Sequence, residues 1–190
     1  MNFSAVILAG GKSLRMGCDK AWLEIEGQTL LARQIALARE TGAAEIFIAG
    51  RSDTDYSSFG CRDLPDKFFD AGPLAGIERA LAAANETLLL VLAVDLPQMK
   101  AESLIRLAAG CSETCGAIPR LANRIEPVAA FYPKPAHAPA ATRLARGAFA
   151  VKNFAEQCVQ SGLARLVEFD ARDAPQFTNW NSPADLFSRS

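Results

Sequence analysis

The most constraining stretch of this chain is residues 5–20, AVILAGGKSLRMGCDK, an apolar run that stops at two adjacent glycines and then turns cationic. The run itself, residues 3–9 with Val6 and Ile7 inside it, predicts a strand buried on both faces. Gly10 and Gly11 then permit unusual dihedrals and close approach of backbone to a ligand. Lys12, Ser13, Arg15 and Lys20 follow within one loop. Backbone N–H groups beside such cations suit the oxygens of a di- or triphosphate, so a nucleotide-phosphate loop is expected at the carboxyl end of strand one.

Two commoner phosphate loops do not fit. Gly11-Lys12-Ser13 supplies the ending of G-x-x-x-x-G-K-[ST], but the first glycine would fall on Val6, inside the strand. The dinucleotide fingerprint G-x-G-x-x-G fails because the glycines are adjacent. The remaining pattern, L-A-G-G-x-x-x-R-M-G-x-D-K, resembles the signature of nucleotidyltransferases that activate small molecules with an NTP.

Further along, Thr29 is placed to cap a helix over residues 30–40, ended by Gly42, and EIFIA at residues 45–49 reads as strand two. Residues 50–58 read as loop, and a third strand is expected near residues 59–62. A helix follows over residues 74–84. TLLLVLAV at residues 87–94 is the clearest central strand and ends on Asp95. Residues 101–109 form another helix. Beyond residue 110, strands are expected at residues 117–118 and 127–132 with an irregular polar turn between them. A helix-rich stretch at residues 140–161, a strand at residues 163–169 and a helix opening at Ser182-Pro183 complete the chain. The alternation predicts an α/β fold: a single domain over residues 1–190, Rossmann-like, with a doubly wound and mostly parallel sheet.

At 190 residues, half of them apolar, the chain can bury a full core. A net charge of −1 without a basic run argues against nucleic acid as a partner. The longest apolar stretch is too short for a membrane span, and the start lacks a signal-peptide layout, so a cytoplasmic protein is expected. Five cysteines, an odd number and mostly far apart, suggest no disulfide framework, and Cys111 and Cys115 lack the partners of a zinc site. His137, the single histidine, would have to carry any Ser-His-Asp or Cys-His mechanism alone.

In an open parallel sheet, ligands bind beyond the carboxyl ends of the strands. Three segments share that edge: Gly10-Gly11, residues 66–76 and Asp95. A carboxylate ending an apolar strand beside phosphates suits Mg²⁺, and equally it can cap the next turn. Gly72, Pro73 and Leu74 open a helix whose N-terminus can receive a base edge or an anionic group; a plain helix entry with proline in its first turn has the same pattern. Asp66 is a candidate for a base or ribose, or a turn residue. Asn179 and Asn181, two apart in FTNWNSP, can reach the same edge, while Asn181 or Ser182 also fits as a helix cap. Trp22 and Trp180 read as packing residues ahead of stacking platforms.

Taken together, LAGGKSLRMGCDK, DAGPLAG, AVDLP, EPVAAFY and FTNWNSPADL resemble the molybdenum cofactor guanylyltransferase family, within the MobA-like NTP transferases of the nucleotide-diphospho-sugar transferase-like fold. The resemblance implies transfer of GMP from GTP to molybdenum-molybdopterin, with Mg²⁺ as cofactor. It implies that the backbone of Leu8, Ala9 and Gly10 meets the nucleotide. Gly11, Arg15 and Lys20 handle phosphates, with Lys20 at the α-phosphate. Asp66 matches a nucleotide-contacting aspartate across a one-residue gap, with Asp70 as the fallback. Asp95 matches the Mg²⁺ ligand, and Asn181 an active-edge amide. Residues 1–110 would then bind nucleotide and residues 111–190 the acceptor. Handover to molybdoenzyme maturation proteins is compatible with it. An asparagine that some members carry after strand two has no counterpart in IFIAGRS. A cytidylyltransferase for the same pterin, a sugar-phosphate nucleotidyltransferase and a nucleotide-binding scaffold without turnover are the rival readings.

Overall fold

The computed structural model describes residues 2–10, 20–64 and 71–180. β1 (Ser4–Leu8) lies between β4 (Glu45–Ala49) and β6 (Leu88–Ala93), parallel to both, with Val6 opposite Phe47 and Val91. Every residue of β1 and β6 is buried. Their alternate side chains enter two different cores: Ala5, Ile7, Leu90 and Leu92 on one face, Val6, Leu8, Leu89 and Val91 on the other. This is why both strands are apolar throughout rather than alternating.

Around this centre the sheet runs β10 (Ala164–Phe169), β7 (Gly116–Leu121), β9 (Ala129–Pro133), β6, β1, β4, β5 (Arg62–Asp63), with β8 (Arg124–Ile125) attached to β7. A separate two-stranded ribbon joins β2 (Glu24–Ile25) to β3 (Gln28–Thr29). α1 (Leu30–Glu40) and α3 (Ala101–Ala109) bury their apolar faces in one core. α2 (Pro73–Ala83), α4 (His137–Ala145) and α5 (Val151–Gln160) close the other. The expected helix at residues 30–40 is present with its cap: Ala32 N–H donates to Thr29 Oγ1 at 3.2 Å.

The sheet is mostly parallel, as expected, with one inversion that the alternation rule did not foresee. β9 runs antiparallel to both β6 and β7. The cause is local: β7, β8 and β9 follow one another through tight turns, with no room for a crossover helix. The expected polar turn between residues 119 and 126 is instead the end of β7 and a short hairpin, Arg120 opposite Ile125 and Leu121 opposite Arg124. Pro119 is tolerated within β7, and its carbonyl accepts from Glu126 N–H at 3.0 Å. The third strand lies at residues 62–63, because a 3₁₀ turn (Ser57–Phe59) and Gly60 at φ +63° occupy the expected position. The helix-rich stretch splits into α4 and α5 at Gly147, φ +70°. The expected helix opening at Ser182-Pro183 lies outside the described residues.

Among the described residues no helix is long and apolar enough to cross a membrane. Close backbone approach fixes Gly116: an added Cβ would overlap Phe131 O and lie 2.8 Å from Phe131 C, atoms that cannot swing aside. Gly116→Ala is therefore expected to lower stability by about 1–3 kcal/mol, the usual range for overpacking, in a urea titration.

Candidate active site

β1 and β6 end side by side at the point where the strand order reverses: from β1 the chain moves outward to β4 and β5, and from β6 it continues on the other side to β7 and β9. Val94 N–H donates to Leu8 O at 3.2 Å and locks the two ends together. Such a switch point is where open α/β sheets bind ligands. Ala9 and Gly10 extend β1, and both N–H groups donate to Ala49 O, at 2.9 and 3.0 Å. Those donors are already engaged, so a ligand at Leu8, Ala9 and Gly10 meets carbonyl acceptors and the bare backbone of exposed Gly10 rather than a cage of N–H groups.

Asp95 and Lys20 meet at this edge. Lys20 Nζ lies 3.3 Å from Asp95 Oδ2, and the two side chains are 18% and 19% exposed. Lys20 opens a 3₁₀ turn (Lys20–Trp22) seated on α1, with Ala21 buried beneath it. The turn bearing Asp95 is held from two sides. Asp95 O accepts from Trp180 N–H at 2.9 Å, and Leu96 O accepts from Gln34 Nε2 at 2.7 Å. Gln34 is 1% exposed, on the inner face of α1. Neither tether was visible in the sequence: Gln34 carries no motif, and the contact from Trp180 is made by backbone.

The Trp180 bond also brings the FTNW segment beside Asp95, with Asn179 exposed next to it. Gly72 caps α2 at φ 64° and ψ −159°, a conformation open to glycine, and Pro73 occupies the first turn. Gly72 and Pro73 are exposed, whereas the Leu74 side chain is fully buried and leaves only its backbone for a ligand. At Gly76 a Cβ would stand 2.8 Å from Ala49 Cβ and 2.9 Å from Leu8 Cδ2, so this glycine seats α2 against the ends of β1 and β4. Gly11, Arg15, Asp66, Asp70 and Asn181 lie outside the described residues.

After β4, Gly50 yields its side-chain space to Tyr56, whose Cζ would lie 2.5 Å from a Cβ there. Tyr56 Oη accepts from Arg51 N–H at 3.2 Å, and Trp22 stacks on the Tyr56 ring with planes 4° apart. Trp22 packs on Tyr56 and Phe59, as expected, while remaining 41% exposed. The ring of Tyr56 thus fills the space beside Gly50 in the loop after β4.

His137 sits on α4, 2.9 Å from Glu78 on α2, and joins two helices away from the switch point. Burial pushes the Cys111 and Cys158 thiols up to about 12, so neither forms a thiolate nucleophile near neutral pH. Among the described residues no three His, Cys, Asp or Glu side chains cluster to hold a metal by themselves. The Asp95 carboxylate instead fits Mg²⁺, which is commonly held by one or two carboxylates together with substrate phosphates. The described residues bring a cation and a carboxylate together here, a pair suited to positioning and charge neutralisation.

Residues 5–161 match the model of the MobA-like NTP transferase domain. A probable molybdenum cofactor guanylyltransferase of Opitutus terrae is 39% identical over 185 residues, 96% of this chain and 92% of that protein. Molybdopterin-guanine dinucleotide biosynthesis protein A of Archaeoglobus fulgidus has a TM-score of 0.74 at 22% identity, covering 98% of this chain and 95% of its own. A Mycobacterium tuberculosis protein crystallised with manganese has a TM-score of 0.61 at 18% identity, covering 90% of both chains.

Two outcomes follow from the geometry. Gln34→Leu removes one of two donors to the Leu96 carbonyl, Met99 N–H at 3.2 Å being the other, and is expected to cost about 0.5–1.5 kcal/mol, the net value of one hydrogen bond, in a urea titration. In the folded protein at pH 8, Cys111 and Cys158 should alkylate with iodoacetamide far more slowly than in urea, and peptide mass mapping reads both rates.

Proposed function

The chain belongs to the MobA-like NTP transferase family, and on that premise we propose that it transfers GMP from GTP to molybdenum-molybdopterin, forming molybdopterin guanine dinucleotide and pyrophosphate. The observation that carries the proposal is the pairing of Lys20 with Asp95 at the junction of β1 and β6, a cation and a metal-competent carboxylate 3.3 Å apart. In the reaction, an oxygen of the acceptor's terminal phosphate bonds to the α-phosphorus of GTP. The bond from that phosphorus to the bridging oxygen breaks, and pyrophosphate leaves with the electron pair. The attacking oxygen is already anionic, so no protein base is required.

Lys20 stabilises charge at the α-phosphate, and Arg15 and Gly11 take the outer phosphates. Asp95 holds Mg²⁺, which when bound neutralises charge on the triphosphate and the departing pyrophosphate. The carbonyls of Leu8, Ala9 and Gly10 suit the N–H edge of guanine, and the α2 entrance at Gly72, Pro73 and Leu74 lies beside them. Asp66, with Asp70 as the alternative, serves the nucleoside. Asn179 and Asn181 serve the acceptor side. Residues 1–110 form the nucleotide half and residues 111–190 the acceptor half. A GTP-dependent reaction of this kind belongs in the cytoplasm, where handover to molybdoenzyme maturation proteins can follow.

Calorimetric titration with GTP, CTP, UTP and ATP, each with Mg²⁺, tests the nucleotide: selective binding of GTP is expected, and preference for CTP would move the activity to the cytidylyl branch. Asp95→Asn is expected to lower metal-dependent turnover by about 10²-fold or more with the thermal midpoint kept, and Lys20→Ala to lower kcat more than it weakens GTP binding, as for loss of a charge-stabilising group. Wild-type turnover in Asp95→Asn would remove the metal assignment.

A further inference from the structure

The EPVAAFY segment has no part in that chemistry, yet it contains an unusual group. Glu126 is 8% exposed, and its Oε1 is buried without a hydrogen bond. Arg124 Nε lies 2.7 Å from that oxygen, but its N–H is not aligned with it, so the contact is one of charge alone. Arg124 is itself 66% exposed. Burial raises the Glu126 carboxyl above the usual carboxylate range, and Arg124 opposes the shift. A buried carboxylate oxygen lacking a donor is costly, and a ligand that brings the donor recovers that cost.

Its place in the fold points to which ligand. Val128 O accepts from Ala93 N–H at 2.8 Å, so the start of β9 is tied to the end of β6, two residues before Asp95. Glu126 precedes Val128 by two residues, about 7 Å of extended chain, at the base of the β7–β8 hairpin. It therefore stands at the same sheet edge as Asp95. β7 and β9 lie on the far side of β6 from β1 and β4, whose ends carry the proposed nucleotide contacts.

Resting on the GMP-transfer reading, we infer that Glu126 recognises the acceptor's pterin, its carboxylate accepting the adjacent N–H and NH₂ of a 2-amino-4-oxopyrimidine edge. Two parallel donors on a planar ring match a carboxylate as a guanidinium does. Arg124 holds the charge until the ligand arrives and, being exposed, swings out to solvent. Guanine carries the same donor pair, so the sheet position is what assigns Glu126 to the acceptor side rather than to GTP.

The test uses the full chain with free 6-hydroxymethylpterin and with 6-hydroxymethyllumazine, which carries oxygen in place of the 2-amino group, each titrated by fluorescence with and without GTP. The wild type is expected to bind the pterin about tenfold tighter than the lumazine, the value of roughly one charged hydrogen bond. Glu126→Gln, which keeps the shape, should lose that preference while its calorimetric GTP affinity stays within about twofold of wild type. Glu126→Asp should keep the preference at weaker affinity. An undiminished preference in Glu126→Gln, equal loss in both variants, or a parallel loss of GTP affinity overturns the assignment. So does a wild type that does not distinguish the two rings. Selective GTP binding without pterin preference would sink this inference and leave the GMP-transfer reading standing; pterin preference without GTP selectivity would do the reverse.

Discussion

Everything at the candidate site depends on two strands buried on both faces and locked in register. β1 pairs along its full length with β6, Ser4 to Leu89 through Leu8 to Ala93, and each strand sends alternate side chains into two separate cores. One residue of slip would exchange the two sets of side chains between cores of different shape, so the register is strongly held. The Leu8–Val94 bond extends the lock one residue past β6. Lys20 and Asp95, 75 positions apart in the chain, are brought within 3.3 Å of each other by that rigid frame and by α1 beneath it. A partly exposed pair of this kind adds little stability. On the proposed reading its value lies in readiness: two opposite charges neutralise each other until phosphate and metal offer each a stronger partner.

The central half of this arrangement was legible in the residues. Continuous apolar runs ending on Gly10-Gly11 and on Asp95 announced the strands, their burial and the sheet edge at which Lys20 and Asp95 meet. Thr29 and Gly42 bounded α1 through local rules of capping and chain reversal. What escaped is non-local. The inversion of β9 depends on hairpin turns between β7 and β9 that overrode the alternation of strand and helix. Gln34 and Trp180, which steady the Asp95 turn, act through a buried amide and a backbone N–H and leave no spacing to read. Tyr56 reaches back under Gly50 because glycine vacates the space, a relation visible only in three dimensions. The site residues Gly11, Arg15, Asp66, Asp70 and Asn181 remain placed by motif alone.

On the proposed reading, the two sides of β6 divide the labour. Toward β1 and β4 the edge is built of backbone carbonyls, glycines and a helix entrance, features that accept a nucleotide by close approach. Toward β9 and β7 it carries side chains on a hairpin, Arg124 and the buried Glu126 among them, features that select by charge and shape. Asp95 stands between the two. A group-transfer enzyme needs that arrangement, because its donor and acceptor must meet in line over one point of charge neutralisation.

The most direct measurement is a transfer assay with GTP labelled at the α-phosphate, molybdenum-molybdopterin as acceptor and Mg²⁺. The account predicts that label passes from GTP to a molybdopterin dinucleotide with release of one equivalent of pyrophosphate, and that α-labelled CTP gives no such product. Label passing from CTP and not from GTP would contradict it, as would hydrolysis of GTP with no label reaching the pterin.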